Sequence, residues 1–224
     1  MANKRIILNI CVTYLQNITS IIVGFLSVSL IFKALGETQL GVYAIVGSII
    51  GFSGLFNSIM NTSNSRFFAY AIGLSKKHPE KKDVLCEWFN TSISVHICLA
   101  FLICLIFYPI GYLLIKYKLD IPQEYFNTAI IVFNISTILM FFTILQIPFF
   151  SLFIAKQLIF IRNIIGIFQT LLHLIEALIL YYIVKGNLIL WHSILSTSII
   201  MLVYIITISI AFIYFPECKL KSYC

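Results

Sequence analysis

A carboxylate and an imidazole lie three residues apart within a long apolar stretch of the sequence. Glu176 is near the middle of Asn163–Val184 and is the one charged residue of that stretch. An ionised carboxylate at the centre of a membrane helix costs about 2.5–3.5 kcal/mol on insertion scales. On a helix, His173 lies within hydrogen-bonding reach of Glu176. Such a pair suits proton transfer or cation coordination, and it equally suits a neutral hydrogen-bonded pair that locks helices together.

Further polar residues share the helix face of this pair. At 100° per residue, Arg162, Gly166 and Gln169 fall with His173 and Glu176 inside an arc of about 80°. The face would then run along most of one membrane helix. We therefore predict that Glu176, His173, Gln169 and Arg162 act in transport or coupling.

Amide side chains form a second group, on the first two apolar stretches of the chain. Small residues and amides on one helix face are typical of interhelical packing. A hydrated cavity between the two helices accounts better for the number of amides. We therefore predict a substrate path lined by Asn9, Gln16, Asn17, Asn57, Asn61 and Asn64.

The remaining basic and imidazole side chains of these stretches have simpler interpretations. Arg66 ends the second stretch and is a candidate phosphate-binding residue. Helical geometry places it about 180° from Asn57, which favours a side chain that extends to the lipid headgroups. His96 and His192 have no charged neighbours on their own helix faces, so we interpret them as packing or boundary residues.

The composition indicates the elements that must position these residues. Hydrophobic residues make up 61% of the chain and charged residues 10%, with a mean hydropathy of +1.03. A soluble domain carries about 25% charged residues. The uncharged stretches exceed the roughly 20 residues that a membrane helix needs, and they do not alternate as barrel strands do. We predict an all-α membrane protein, one transmembrane domain over 1–224, with about six helices near 6–33, 39–65, 88–115, 125–155, 163–184 and 187–215.

The basic residues predict the orientation of these helices. Of the 15 Lys and Arg residues, 11 fall on the side of the N-terminus and of a long loop at 75–87, and 4 fall on the other side. The positive-inside rule then places both termini and this loop in the cytoplasm. This bias accounts for the net charge of +7, so no nucleic-acid partner is predicted.

The connections leave little room for soluble chemistry. The outward connections at 33–39, 116–124 and 185–187 are short. No phosphate-binding loop, H-E-x-x-H or G-x-S-x-G motif occurs, and no cysteine pair has metal-ligand spacing with a nearby histidine. We predict no enzymatic activity, no cofactor, no metal and no disulfide framework.

Three short segments carry a resemblance to a known family. They are KALGETQLGVYAIVG at 33–47, NTSNSRFFAYAIG at 61–73 and QIPFFSLFIAK at 146–156. In this order they resemble the N-terminal part of the Wzx-type O-antigen and capsule polysaccharide flippases, which share a superfamily with multidrug extruders. The resemblance covers essentially the whole chain.

The resemblance implies a function in polysaccharide or lipopolysaccharide biosynthesis. Members would flip undecaprenyl-pyrophosphate-linked glycans across the bacterial inner membrane by alternating access, with coupling to an ion. Two lobes of six to seven helices would enclose a central, often cationic cavity, and Arg66 is the position that matches the family's substrate-binding arginines. The 224 residues supply one lobe, so either the chain is a fragment or a second lobe or second copy is a further expected partner besides the bilayer.

Three other functions remain open at the level of sequence. A multidrug or small-solute antiporter of the same superfamily is one, although cationic drugs favour an acidic cavity and one intramembrane carboxylate is present. A membrane polymerase or glycosyltransferase is another, although it needs longer catalytic loops. The third is an assembly subunit or an inactive remnant, which the half length favours.

Overall fold

The chain folds into long helices joined by short turns. The computed structural model describes residues 2–51, 53–78, 80 and 83–216. These residues form seven α-helices and one turn of 3-10 helix at Gln123–Tyr125, with no strand among them. The α-helices are α1 (Ala2–Gly51), α2 (Ser53–Lys77), α3 (Val84–Tyr117), α4 (Phe126–Leu145), α5 (Ile147–Ala155), α6 (Ile159–Tyr182) and α7 (Leu188–Tyr214).

The length and surface of these helices are those of a membrane protein. Five segments are long and apolar enough to cross a bilayer: Lys4–Ile49, Val84–Tyr117, Gln123–Ala155, Ile159–Tyr182 and Leu188–Tyr214. Large apolar side chains cover the outside, such as Phe25 at 78% exposure and Ile213 at 78%. Such a surface is stable against acyl chains and unstable in water. The predicted all-α membrane fold is confirmed.

Gly36 divides α1 into two segments, residues 2–35 and 37–51. Its φ of 73° lies in the left-handed region, which glycine adopts without the steric cost of a Cβ. The residues on both sides are helical, so the connection predicted at 33–39 is a break at one residue rather than a loop. The chain reverses direction there.

Contacts along the bundle define the direction of each helix. The first segment of α1 runs parallel to α6, and the second segment continues into α2 and runs antiparallel to α3. The contacts that show this are Thr13 with Asn163, Ser20 with Thr170, Ile49 with Gly111, and Asn64 with His96. We call the end that carries Arg5, Lys76 and Lys156 the basic end, and the other the opposite end.

Each end of the bundle has its own apolar core. Five phenylalanines dominate the core at the basic end: Phe68, Phe89, Phe149, Phe153 and Phe215. Aliphatic side chains around Phe133 fill the opposite end, including Leu35, Val46, Ile115 and Ile189. Between the two ends, the interior contains the polar groups described below.

The fourth predicted helix, 125–155, is interrupted in the structure. Leu145 ends α4 and Ile147 begins α5, with Gln146 between them. Pro148 has no amide hydrogen to donate to the carbonyl four residues earlier, which interrupts the helical hydrogen bonds near Gln146. Gln146 keeps helical backbone angles and is buried, at 4% exposure.

Other predicted bounds are too short. The structure extends the third helix to 84–117 and the second to Lys77, because charged ends can lie in the headgroup region while the helix continues. Of the predicted loop at 75–87, residues 79, 81 and 82 lie outside the described part. The fifth helix begins at Ile159 rather than at 163, so Arg162 belongs to the membrane helix and not to a connection.

Candidate functional site

A polar cavity of about 440 Å³ lies inside the bundle, between α2, α4, α5, α6 and α7. We call it the central cavity. Four amides, three hydroxyls and one guanidinium line it, and no carboxylate is among its described lining residues. The polar lining consists of Asn57, Ser58, Asn61, Thr143, Gln146, Arg162, Gln169 and Tyr204.

Arg162 brings a positive charge to the central cavity. Its guanidinium carbon lies 5.2 Å from the centre of the Phe150 ring, within the range of a cation–π contact. Within the described part of the chain, it forms no ion pair with a carboxylate. Charged side chains in membrane helices almost always face the bundle interior, a partner or a water-filled cavity. The central cavity is therefore suited to water and to polar or anionic solutes.

Two amide atoms on the cavity residues lack hydrogen-bond partners. These are Oδ1 of Asn57 and Nε2 of Gln146. An unpaired buried polar group costs about 1–3 kcal/mol, which a polar ligand would offset. By contrast, Oδ1 of Asn61 accepts a hydrogen bond from the Ser151 hydroxyl at 2.8 Å. Both atoms are buried, so a solute in the cavity would reach them after a change of side-chain rotamer.

A second polar group lies further toward the opposite end, around Glu176. Oε1 accepts hydrogen bonds from His192 Nδ1 at 2.6 Å and from Ser196 Oγ at 2.7 Å. Oε2 accepts one from His173 Nδ1 at 2.8 Å. Glu176 is 2% exposed, so these three donors replace its hydration. We call these four residues the Glu176 cluster.

The Glu176 cluster connects two membrane helices and packs against a third. Glu176 and His173 lie on α6, His192 and Ser196 on α7, and the Tyr43 ring of α1 packs at 4.4 Å from the His192 ring. His173 is the member with an appreciably exposed side chain, at 31%. A proton that reaches His173 has a hydrogen-bonded route to the carboxylate. The geometry serves proton exchange, and it serves equally as an interhelical clamp.

The structure separates the helix face predicted from the sequence into these two sites. Arg162 and Gln169 line the central cavity, whereas His173 and Glu176 belong to the cluster. The described residues include no group of His, Cys, Asp and Glu that could hold a metal ion. The imidazoles instead point their Nδ1 atoms at the carboxylate.

The predicted path residues of the first helix pack against α6. Asn9 Nδ2 donates to the Gln157 carbonyl at 3.1 Å, and Asn9 Oδ1 accepts from the Phe160 amide at 2.9 Å. The Gln16 amide lies directly over Gly166, where a Cβ would overlap it. Asn9 and Gln16 are therefore placed at a helix interface and do not line the central cavity.

The other predicted path residues are dispersed. Asn17 is exposed on the outer surface of α1. Asn64 Nδ2 lies 3.2 Å from His96 Nε2, in an interhelical hydrogen bond. Arg66 is exposed beside Trp88, outside the central cavity. Of the predicted path, Asn57 and Asn61 line the cavity.

Sequence reasoning missed several residues that the fold brings together. His192 was interpreted as a packing or boundary residue; it is buried, and its charged neighbour Glu176 comes from α6 rather than from its own helix. The four-residue spacing of His192 and Ser196, which places both on one face of α7, was the signal in the sequence that could have indicated a polar site. Gln146 and Tyr204 also line the cavity unpredicted. An amide two residues before Pro148 would have drawn attention to the first of them.

Comparisons with known proteins give no information on the function. No family model matches the chain, and no curated protein or solved structure matches it.

Proposed function

We propose that the chain is one lobe of a transporter that flips a lipid-linked oligosaccharide across the bacterial inner membrane by alternating access. The observation that carries this proposal is the central cavity, which places amides, hydroxyls and one guanidinium inside a membrane bundle. Its volume of about 440 Å³ falls in the range of roughly 300–1,000 Å³ that small-molecule sites occupy.

The lining matches the chemistry of a diphosphate-linked sugar. Amide and hydroxyl side chains donate to and accept from sugar hydroxyls. The Arg162 guanidinium presents a planar fork of donors that fits a phosphate group. After a change of side-chain rotamer, the unpaired atoms of Asn57 and Gln146 would add one acceptor and one donor for the same ligand.

The same lining weighs against the alternative of a drug antiporter. Efflux of cationic drugs favours a carboxylate that faces the solute. Glu176 does not line the central cavity, and three donors of the bundle already surround its carboxylate. A cationic solute in the cavity would meet Arg162 instead.

The proposal includes a coupling step and a partner. The Glu176 cluster connects α6 and α7 and packs against Tyr43 of α1, so a change of its protonation would alter contacts among three spans. A second copy of the chain, or a second lobe, would form the other wall of the path. The positive-inside rule places the basic end, and with it both termini, in the cytoplasm.

Binding and flipping measurements on the purified chain test the proposal. The chain is reconstituted in liposomes at several protein densities with a fluorescent short-chain polyprenyl diphosphate disaccharide. An impermeant quencher reports its flipping, and calorimetry in detergent reports its binding. Arg162→Gln is expected to weaken binding by roughly tenfold or more, because it removes a charged hydrogen bond to phosphate.

Arg66→Gln is the matched control, since it removes the same charge from an exposed position outside the cavity. It should leave binding and flipping near the wild-type values. Equal losses in both variants would mean that net charge, rather than the cavity, attracts the ligand. Wild-type chain that binds a lipophilic cation and not the disaccharide would favour the antiporter.

A further inference from the structure

A second, larger recess opens at the basic end of the bundle. It has a volume of about 1150 Å³ and lies between the first segment of α1, α2, the turn between α5 and α6, and the end of α7. We call it the basic recess. It has no lining residue in common with the central cavity.

Three cations from three different elements line the basic recess. Arg5 lies on α1, Lys76 on α2 and Lys156 in the α5–α6 turn. No Asp or Glu is among its described lining residues. Apart from the cations, its walls are mostly apolar and include Leu8, Ile72, Ile161, Ile210 and Phe215. Positive charge from three elements therefore lies beside an apolar surface that is suited to acyl chains.

The turn that carries Lys156 is held in one geometry. Gln157 has a φ of 57°, a left-handed conformation that non-glycine residues adopt at a cost. Asn9 holds this conformation, because its amide donates to the Gln157 carbonyl and accepts from the Phe160 amide. The Lys156 ammonium lies 4.7 Å from the centre of the Phe215 ring. The contact between Asn9 and the α5–α6 turn therefore fixes the part of the recess that carries Lys156.

We propose that the basic recess binds the headgroup of a phospholipid that carries two phosphates, of the cardiolipin type. Basic pockets between membrane helices, on the side of the positive loops, are the sites where multiply charged lipid headgroups bind. Arg5 and Lys76 supply one cation for each of two phosphates, with Lys156 beside them, whereas the single phosphate of phosphatidylglycerol would engage fewer of these cations. The apolar walls would cover the first carbons of the acyl chains, which a soluble anion lacks.

The site is independent of the proposed transport function. The occupant is a lipid of the bilayer rather than the transported solute, and its contacts lie outside the central cavity. The bound lipid would contact α1, α2 and the α5–α6 turn together, since each of these elements contributes one cation to the recess. Bound lipid should therefore stabilise the folded chain.

Lipid binding to the full chain in detergent tests the proposal, by native mass spectrometry and by thermal stability. The probes are cardiolipin, phosphatidylglycerol at twice the concentration, inorganic pyrophosphate and farnesyl diphosphate. Each Lys or Arg near a lipid surface contributes about fivefold in affinity. The double variant Arg5→Gln/Lys76→Gln should therefore weaken cardiolipin binding roughly 30-fold, and Lys156→Gln about fivefold.

The sequence offers a matched control in the neighbouring residues. Lys4→Gln/Lys77→Gln removes the same charge from the same end of the chain, but neither lysine lines the recess. This pair should retain most of the affinity. If the first pair does not fold, the single variants Arg5→Gln and Lys76→Gln, compared with Lys4→Gln and Lys77→Gln, decide the question.

Three outcomes would overturn the proposal. Equal losses in the two double variants would show that diffuse charge attracts the lipid. Pyrophosphate binding as tightly as cardiolipin would make the recess a site for soluble anions. Farnesyl diphosphate binding more tightly than cardiolipin would assign the recess to a lipid diphosphate, and therefore to the transported substrate.

Discussion

A carboxylate buried in a membrane helix is stable only when protein donors replace the water that it loses. The Glu176 carboxylate has exchanged water for three side-chain donors, two of them imidazoles. Removing one donor leaves a charge that the bilayer cannot solvate. A hydrogen bond to a charged group contributes about 1.5–3 kcal/mol.

A double-mutant cycle tests this pairing. His192→Leu should lower the unfolding free energy in mixed micelles by about 2–3 kcal/mol, since it leaves the carboxylate with one donor fewer. Combined with Glu176→Leu, the loss should be clearly smaller than the sum of the two single losses. His96→Leu serves as the control, because His96 bonds to Asn64 and Ser92 instead. Its effect should add to that of Glu176→Leu, and an additive result for His192 would contradict the pairing.

Between elements, close approach depends on individual small residues. Gly111 of α3 lies against the ring of Phe133 on α4, which is fully buried. A Cβ at this position would overlap the ring, which is fully buried among the core residues of the opposite end. This contact sets how closely α3 approaches α4.

Gly111→Ala is therefore expected to destabilise the bundle. Overpacking of a core costs about 1–3 kcal/mol, so the unfolding midpoint in detergent should fall. Gly47→Ala is the control, because a Cβ there would meet nothing within 4 Å. That variant should be neutral or slightly more stable, since alanine favours helix over glycine. Equal behaviour of the two variants would contradict the packing of α3 on α4.

At the scale of the whole molecule, the arrangement of basic residues relative to the helices predicts the orientation in the membrane. Lys77 lies at the basic end and Lys118 at the opposite end, and both are exposed. The helix between them, α3, is one of the segments able to cross the bilayer. The two positions should therefore lie on different sides of the membrane.

Cysteine labelling checks this orientation. In a chain with its natural cysteines replaced, Lys118→Cys should react with an impermeant maleimide in intact cells. Lys77→Cys should react only after permeabilisation, because the positive-inside rule places it in the cytoplasm. Labelling of both positions from the same side would rule out the bundle described above.

Much of the fold followed from local properties of the sequence. The length of an uncharged stretch against the thickness of a bilayer is enough to predict α3, α6 and α7, with errors of a few residues at their ends. The break at Gln146 was harder to predict, because a proline can either bend a membrane helix or interrupt it. The reversal at Gly36 depends on one residue, which a hydropathy pattern does not resolve.

The site was predictable only in part. Helical spacing alone determined that His173 reaches Glu176, since both side chains project from one helix at i and i+3. Whether an amide lines a cavity or an interface depends on which helix faces it, and no periodicity within one helix carries that information. Tertiary structure therefore decided that Asn57 and Asn61 line the central cavity while Asn9 packs on α6. It also decided that His192 completes the Glu176 cluster, because residues distant in sequence meet only once the bundle is packed.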